Sequence, residues 1–182
     1  SSYPTLPSQE EVKKAFTDTQ AIPMTQTLER LVALGEVSKK WLLRGEFHRA
    51  FDVALLAYRT TPNEPFRGTP LRQVFEKIAL FGGIERALTF LNEIKAELDP
   101  LDLNSIRNGI LMNFRPTTDQ EMECAYSLAK EIPQRDHAGL MVREVPMKRL
   151  VSLAMQKGNY AQAQKIAEDE GSHVLQFFVG AI

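Results

Sequence analysis

Apolar residues recur at three- and four-residue spacing along most of this 182-residue chain. That period is typical of amphipathic α-helices. Apolar and polar residues nowhere alternate over the length of a strand between turn signals. Glycine and proline separate the helical segments, which follow one another in pairs of similar length. The pattern therefore predicts an all-α protein built from consecutive helical hairpins.

Four alanines occupy corresponding places in these hairpins. Ala50, Ala87, Ala125 and Ala163 follow one another at intervals of 37 or 38 residues, each inside the second helix of a predicted pair. A unit of this size is too small to bury its apolar faces alone, so it packs on its neighbours in a stacked array. Small side chains also allow two helices to approach closely. The spacing predicts an α-solenoid of about four antiparallel hairpins.

Capping and turn residues give the expected bounds of the array. Ser8 and Glu11 form a capping box that opens a short N-terminal helix. Proline and further capping residues delimit the later segments. The predicted organisation is an N-terminal segment at 1–24, a repeat array over 25–170 with hairpins at about 25–62, 69–98, 100–132 and 144–170, and an apolar C-terminal helix at 171–182.

Three of the four units carry a glycine five residues ahead of the repeated alanine, at Gly45, Gly82 and Gly158. Glycine enters the left-handed conformation without a Cβ penalty, so it can end the leading helix of each hairpin. The third unit lacks this glycine and has a longer turn. Residues 136–144, which precede Pro146, are interpreted as an insertion or an extra turn.

Apolar spacing also predicts which side chains form the core. In the first leading helix the inward set is Leu28, Leu31, Val32, Leu34, Val37 and Trp41. The C-terminal segment is apolar on most sides. It therefore either fills the end of the core or faces a partner.

The returning helices of the first and fourth hairpins resemble the second helix of a tetratricopeptide repeat. The residues that carry this resemblance are Gly45, Glu46, Phe47, Ala50, Phe51, Ala54 and Ala57, and then Gly158, Asn159, Tyr160, Ala163 and Ala167. Residues 82–98, with the following Asp99, Pro100, Asn104, Ser105 and Ile106, are more similar to a pentatricopeptide repeat. Both families imply a right-handed superhelix with leading helices on its concave face. They imply non-catalytic binding, of peptides in one case and of single-stranded RNA in the other.

The net charge of the chain does not indicate a class of partner, because 22 basic residues nearly balance 23 acidic ones. Only the local distribution of charge is informative. The leading helices carry a net positive charge and the returning helices a net negative charge. If the leading helices are concave, as the resemblance implies, a mildly basic groove would attract phosphates or an acidic peptide. The alternative is that these charges complement helix dipoles or are solvated. The predicted partner-binding residues are Lys39, Lys40, Arg72, Lys77, Arg107, Lys148 and Arg149, with Phe177 and Phe178 as a second interface at the apolar end.

Features expected of an RNA-binding repeat are few. Asn104 and Ser105 have the short polar side chains that reach base edges, but the corresponding positions of the other units give no consistent code. The aromatic residues Trp41, Phe75 and Phe114 lie at core spacing, which is not the arrangement of a stacking platform. The favoured function is therefore docking of a protein partner, with single-stranded RNA binding in organelle gene expression as the alternative.

The residues do not indicate an enzyme, a cofactor or a metal site. Cys124 has no histidine at helical spacing, so an inert thiol is expected. His48, His137 and His173 belong to separate units and lack ligand spacing. The longest uncharged apolar run, 174–182, is too short to cross a bilayer. We therefore expect a non-catalytic protein without membrane insertion.

Location is predicted from two observations. A single cysteine suits a reducing compartment. The sequence begins at Ser1 and not at methionine, as it would after removal of a targeting segment or at an artificial boundary. With the pentatricopeptide resemblance this favours a mitochondrial or other organelle matrix, whereas the tetratricopeptide resemblance favours the cytoplasm.

Overall fold

The computed structural model describes residues 5–182, which form α-helices joined by short connections. In that part of the chain, the Arg135–Met141 bridge is the only β-type pairing, and no helix is both long enough and apolar enough to cross a membrane. An all-helical fold is confirmed. The helices are α1 (Gln9–Gln20), α2 (Thr27–Leu43), α3 (Phe47–Thr60), α4 (Thr69–Gly82), α5 (Ile84–Ile94, extended by the 3-10 turn Lys95–Glu97), α6 (Pro100–Asn113), α7 (Asp119–Glu131), α8 (Glu144–Gln156), α9 (Tyr160–Glu170) and α10 (Ser172–Ala181).

The chain divides into two compact units, one ending at Lys77 and the other running from Ile78 to Ile182. In the first unit α2 packs along α3, and α1 packs on α2. In the second unit α5 packs on α7, α6 contacts both α7 and α8, and α8 packs along α9. Helix α10 lies against both α8 and α9. Neighbouring helices are thus packed together within each unit.

The four repeated alanines share one pattern of burial. Each is fully buried, and the residues three and four positions later in the same helix are buried as well. Because residues at these spacings share one helix face, each returning helix buries a stripe of the same shape. The stripes are Ala50, Val53 and Ala54 in α3; Ala87, Phe90 and Leu91 in α5; Ala125, Leu128 and Ala129 in α7; and Ala163, Ile166 and Ala167 in α9.

Two hairpin turns use the predicted glycine in the predicted way. Gly45 and Gly158 have φ values of 72° and 77°. In each turn the glycine N–H donates to a carbonyl three residues back, and the next N–H donates to a carbonyl five residues back, which is the Schellman ending of a helix. The second hairpin differs, because Gly82 is the last residue of α4 and Gly83, with φ 91°, makes the turn.

The predicted inward set of α2 is wrong at two positions. Leu28 and Val32 are 60% and 59% exposed, whereas the other four members of the set are buried. At about 100° per residue, these two side chains lie just outside the buried arc of the helix surface, which contains Leu31 and Trp41. Arg30 lies within the buried arc instead and is only 4% exposed.

Arginine side chains complete the ends of several helices. Arg30 Nη1 donates to the carbonyls of Thr19 and Ile22 at 3.3 and 3.0 Å, beyond the last turn of α1. Arg143 donates to the Ile132 and Lys130 carbonyls at 2.6 and 2.8 Å, at the end of α7. The last carbonyls of a helix have no partner within it and carry its negative dipole end. Guanidinium donors therefore replace the missing hydrogen bonds and tie consecutive elements together.

Helix α10 has one buried side and one exposed side. Val174 and Phe178 are buried, whereas Val179 and Ile182 are exposed. The two interpretations of the apolar C-terminal segment therefore apply to different sides of one helix: one side extends the core formed with α8 and α9, and the other side is open.

The predicted insertion between α7 and α8 is a short hairpin. The Asp136 N–H donates to the Leu140 carbonyl at 2.8 Å, and the Val142 N–H donates to the Gln134 carbonyl at 3.0 Å. Between these bonds Arg135 lies opposite Met141 in an antiparallel bridge. The Asp136 carboxylate accepts from the N–H groups of Ala138 and Leu140, both at 2.9 Å. These bonds give residues 134–142 a defined shape.

Enlarging a buried alanine tests the importance of the close helix approach. We expect Ala163→Leu to lower the free energy of unfolding by about 1–3 kcal/mol, because the added atoms overfill the contact between α8 and α9. Ala161→Leu is the matched control, since Ala161 is exposed on the same helix. Urea unfolding followed by circular dichroism measures both variants. Equal stability of the two would contradict the proposed role of the stripe.

Candidate functional site

The predicted basic residues of the first unit lie mainly on the surface, and two of them pair with carboxylates of their own helices. Lys39 Nζ is 3.1 Å from Glu36 Oε1, and Arg72 Nε is 3.6 Å from Glu76 Oε1. Lys40 is partly buried and Lys77 is exposed. Pairs at such spacing on a helix surface contribute little to stability and reduce the local positive field.

The basic residues of the second unit are bound more deeply into the structure. Arg107 is only 14% exposed; its Nη2 lies 3.1 Å from Glu131 Oε2 and its Nη1 donates to Asn104 Oδ1. Lys148 pairs with Glu144 and lies over the Phe177 ring at 5.8 Å from its centroid. Thus Lys148 and Phe177 are brought together at the contact of α8 with α10.

Arg149 and Phe178 both make contacts within the second unit, and Arg149 is half-buried. Arg149 Nη1 donates to the Leu111 carbonyl at 2.6 Å and Nη2 to the Phe114 carbonyl at 2.8 Å, at the C-terminal end of α6. Burial, with the nearby Arg115 charge, lowers the pKa of Arg149. Phe178 is buried. These two predicted contact residues therefore make contacts within the fold, and their role in partner binding stays a prediction.

A cleft that the sequence did not predict opens in the second unit. It has a volume of about 680 Å³ and lies between α6, the 134–142 hairpin and the first turn of α8. We call it the hairpin cleft. Its walls include Leu101, Leu140 and Val145, whose side chains are 61%, 65% and 55% exposed. Exposed apolar side chains that line one concavity are typical of a binding site.

One wall of the hairpin cleft carries a row of uncharged polar groups. Asn104, Ser105 and Asn108 line it from α6. Asn104 and Asn108 are four residues apart and so lie on the same helix face. The Asn104 carboxamide oxygen accepts from Arg107. The cleft thus combines apolar contact area with amide groups that can form directed hydrogen bonds.

The charged groups at the rim of the hairpin cleft are used within the hairpin. Arg135 Nη1 donates to the Gly139 carbonyl at 2.8 Å, and the Asp136 carboxylate accepts the two N–H groups described above. His137 also lines the cleft. These contacts hold part of the Arg135 guanidinium and the Asp136 carboxylate within the hairpin, and the cleft suits a partly apolar ligand.

A second groove lies between α5 and α7 and contains the single cysteine. It has a volume of about 340 Å³, and Arg107, Glu123 and Cys124 are among its lining residues. Burial raises the pKa of the Cys124 thiol, and the carboxylates of Glu85, Glu121 and Glu123 raise it further. Because the thiolate is the reactive form, this environment opposes nucleophilic chemistry. Within residues 5–182 no three histidine, cysteine, aspartate or glutamate side chains gather as metal ligands.

The chain matches no protein-family model, no curated protein and no solved structure. The resemblance to tetratricopeptide and pentatricopeptide repeats therefore stays a prediction. The evidence for the all-helical fold is the structure alone.

Sequence reasoning found part of the cleft and missed the rest. Asn104 and Ser105 were singled out as short polar residues of a leading helix, and they do line the hairpin cleft. Leu101, Leu140 and Val145 were not predicted, because they come from three segments whose approach no local pattern shows. A usable signal was the apolar run Leu140, Met141 and Val142 inside an insertion, where no helix buries it.

Removing the Arg149 guanidinium tests its structural role. We expect Arg149→Ala to lower the free energy of unfolding by about 2 kcal/mol, because two charge-assisted hydrogen bonds to α6 carbonyls are lost. Arg115→Ala is the control, since Arg115 is exposed. Both variants are measured by urea unfolding without any ligand. If the two variants lose the same free energy of unfolding, Arg149 does not stabilise the end of α6.

Glu144 gives a pH-dependent prediction. Its hydrogen bond with Lys148 is the main cause that lowers the pKa of the carboxyl below its ordinary value of 4.5, and burial partly opposes this. A lowered folded-state pKa stabilises the protein above 4.5, and that contribution disappears as the pH falls through the folded value. We therefore expect Glu144→Gln to be less stable than the wild type at pH 7, with the difference shrinking below pH 4.5. Thermal unfolding across this range measures it.

The control for this prediction is Glu93→Gln, since Glu93 is exposed in α5. Its stability difference from the wild type is measured over the same pH range for comparison. A difference for Glu144→Gln that does not change with pH would show that the pair with Lys148 does not favour the ionised carboxyl.

Proposed function

We propose that this chain is a non-catalytic helical-repeat binding module that docks a segment of a protein partner. In this proposal the helices form a right-handed α-solenoid of about four hairpins. Support comes from the repeated buried stripes and from contacts between like helices of consecutive hairpins. Helix α5 packs on α7, α6 packs on α8, and the Tyr126 hydroxyl of α7 donates to Asp169 of α9 at 2.9 Å.

The observation that carries the proposal is the set of exposed apolar side chains that line the hairpin cleft. Leu101, Leu140 and Val145 stay exposed although the hairpin that holds Leu140 is well defined. Covering exposed apolar groups of this size with a partner is favourable, because it removes apolar surface from water. A protein segment supplies both apolar side chains and backbone groups for the asparagines. Docking in the cleft replaces the basic groove as the proposed site.

The arrangement of the basic residues favours a protein over single-stranded RNA. RNA affinity depends on cations that remain available to phosphates. Here Lys39, Arg72, Arg107 and Lys148 lie beside carboxylates, and Arg149 binds carbonyls. The presence of Asn104 and Ser105 in the cleft is the feature that supports the RNA alternative. An organelle location stays a prediction.

A charge placed in the cleft should abolish docking. We expect Leu140→Asp to lose the partner, because a carboxylate would be buried against the apolar walls at the interface. Leu43→Asp is a matched control, since Leu43 is also 65% exposed but lies in α2 of the first unit. Tagged wild type and both variants are used to recover bound proteins, with and without ribonuclease.

The proposal expects one set of proteins that is recovered with the wild type and with Leu43→Asp, is resistant to ribonuclease, and is absent with Leu140→Asp. Loss after ribonuclease would favour the RNA alternative. Equal recovery with both variants would show that binding does not use the hairpin cleft.

A further inference from the structure

The 134–142 hairpin leaves an unpaired backbone edge at Met141, one of the residues that line the hairpin cleft. Arg135 and Met141 form the bridge between two hydrogen bonds that use the groups of Gln134, Asp136, Leu140 and Val142. In such a non-hydrogen-bonded antiparallel pair, each residue directs its N–H and C=O outward. Met141 lies in the wall of the cleft. One strand edge of the hairpin thus carries a donor and an acceptor that the hairpin itself does not use.

The asparagines of α6 match an extended chain in spacing. Residues four apart on a helix are about 6 Å apart along its axis. Two residues of an extended strand span about 6.6 Å. If one residue of a bound strand pairs with Met141, its two chain neighbours direct their N–H and C=O groups the opposite way, towards Asn104 and Asn108. The cleft therefore offers hydrogen-bonding groups for both edges of a single strand.

The apolar walls suit the side chains of the same strand. Successive side chains of a strand point to opposite faces, so every second one can contact the walls that include Leu101, Leu140 and Val145. A helical occupant would satisfy its backbone groups internally and would leave Met141 and the asparagines without strand-like partners.

We propose that the hairpin cleft binds an extended, partly apolar protein segment that adds as a strand to the Met141 edge and is held on its other edge by Asn104 and Asn108. This inference rests on the proposed protein-docking function and adds the backbone conformation of the occupant. The exposed edge of a β-hairpin is a recognised template for strand addition.

The probe is a library of random twelve-residue peptides displayed on phage and selected on the full chain, with Leu140→Asp protein used to remove binders that do not require the cleft. We expect the enriched peptides to carry apolar residues at every second position. Binding of selected peptides is then measured as synthetic peptides by isothermal titration calorimetry.

The backbone contacts are tested from both sides. N-methylation of alternate peptide bonds in a selected peptide should weaken binding about fivefold or more at the bonded positions, as expected for the loss of one hydrogen bond, and little at positions whose N–H is not bonded. On the protein, Met141→Pro removes the outward N–H and should weaken binding by a similar factor, whereas Met141→Leu keeps it and should not. The amide signals of Asp136 and Val142 in NMR spectra check that the hairpin is retained.

The possible results separate the two proposals. Enriched peptides with apolar residues at three- and four-residue spacing, or affinities that do not change with N-methylation at any position, would overturn strand addition and leave protein docking in place. If no peptide binds the wild type better than Leu140→Asp, both strand addition and docking in the cleft are wrong.

Discussion

The structure depends on helices that approach closely where their side chains are small. Ala50, Ala87, Ala125 and Ala163 are fully buried, each with a buried companion one turn later. A larger residue at any of these positions would separate the helices and expose the apolar side chains beside it. The constraint also explains the turns: paired helices of similar length need a sharp reversal, and positive-φ glycines supply it at Gly45 and Gly158.

Where helix ends pack against other elements, arginine side chains donate hydrogen bonds to the carbonyls that have no partner within the helix. A carbonyl at a helix end is expensive to bury without a donor. Arg30, Arg143 and Arg149 each reach from a later helix or its cap to two such carbonyls. The positive charge of the leading helices is therefore partly structural. A count of charges along the sequence includes these groups, but it does not distinguish a guanidinium aimed at a carbonyl from one that faces a ligand.

Local periodicity was sufficient to predict the helices and the equivalent alanines, because both depend on residues close in sequence. It was less accurate for side chains at the border of a buried arc, as Leu28 and Val32 show. The turn of the second hairpin was predicted at the pair Gly82 and Gly83, and the pattern could not show which of the two adopts the positive φ, since either glycine can. The hairpin cleft could not be predicted, since Leu101, Leu140 and Val145 meet only after α6, the insertion and α8 are packed. Only Asn104 and Ser105, which stand out as short polar residues within a helix, could be selected beforehand.

The 134–142 hairpin departs from the repeated pattern and makes one part of the second unit different from the rest. A regular turn like that at Gly158 would bring α7 directly into α8 and leave α6 with an ordinary helix surface. The 134–142 hairpin instead adds a wall opposite α6, and its shape is held by backbone bonds and by the Asp136 carboxylate. The Leu140 side chain takes no part in those bonds, so its apolar character is not required to form the hairpin. Stability resides in the buried stripes and arginine caps, whereas the chemistry of the cleft resides in side chains that the fold leaves exposed. The two can therefore vary independently, which is a property that the proposed binding function requires.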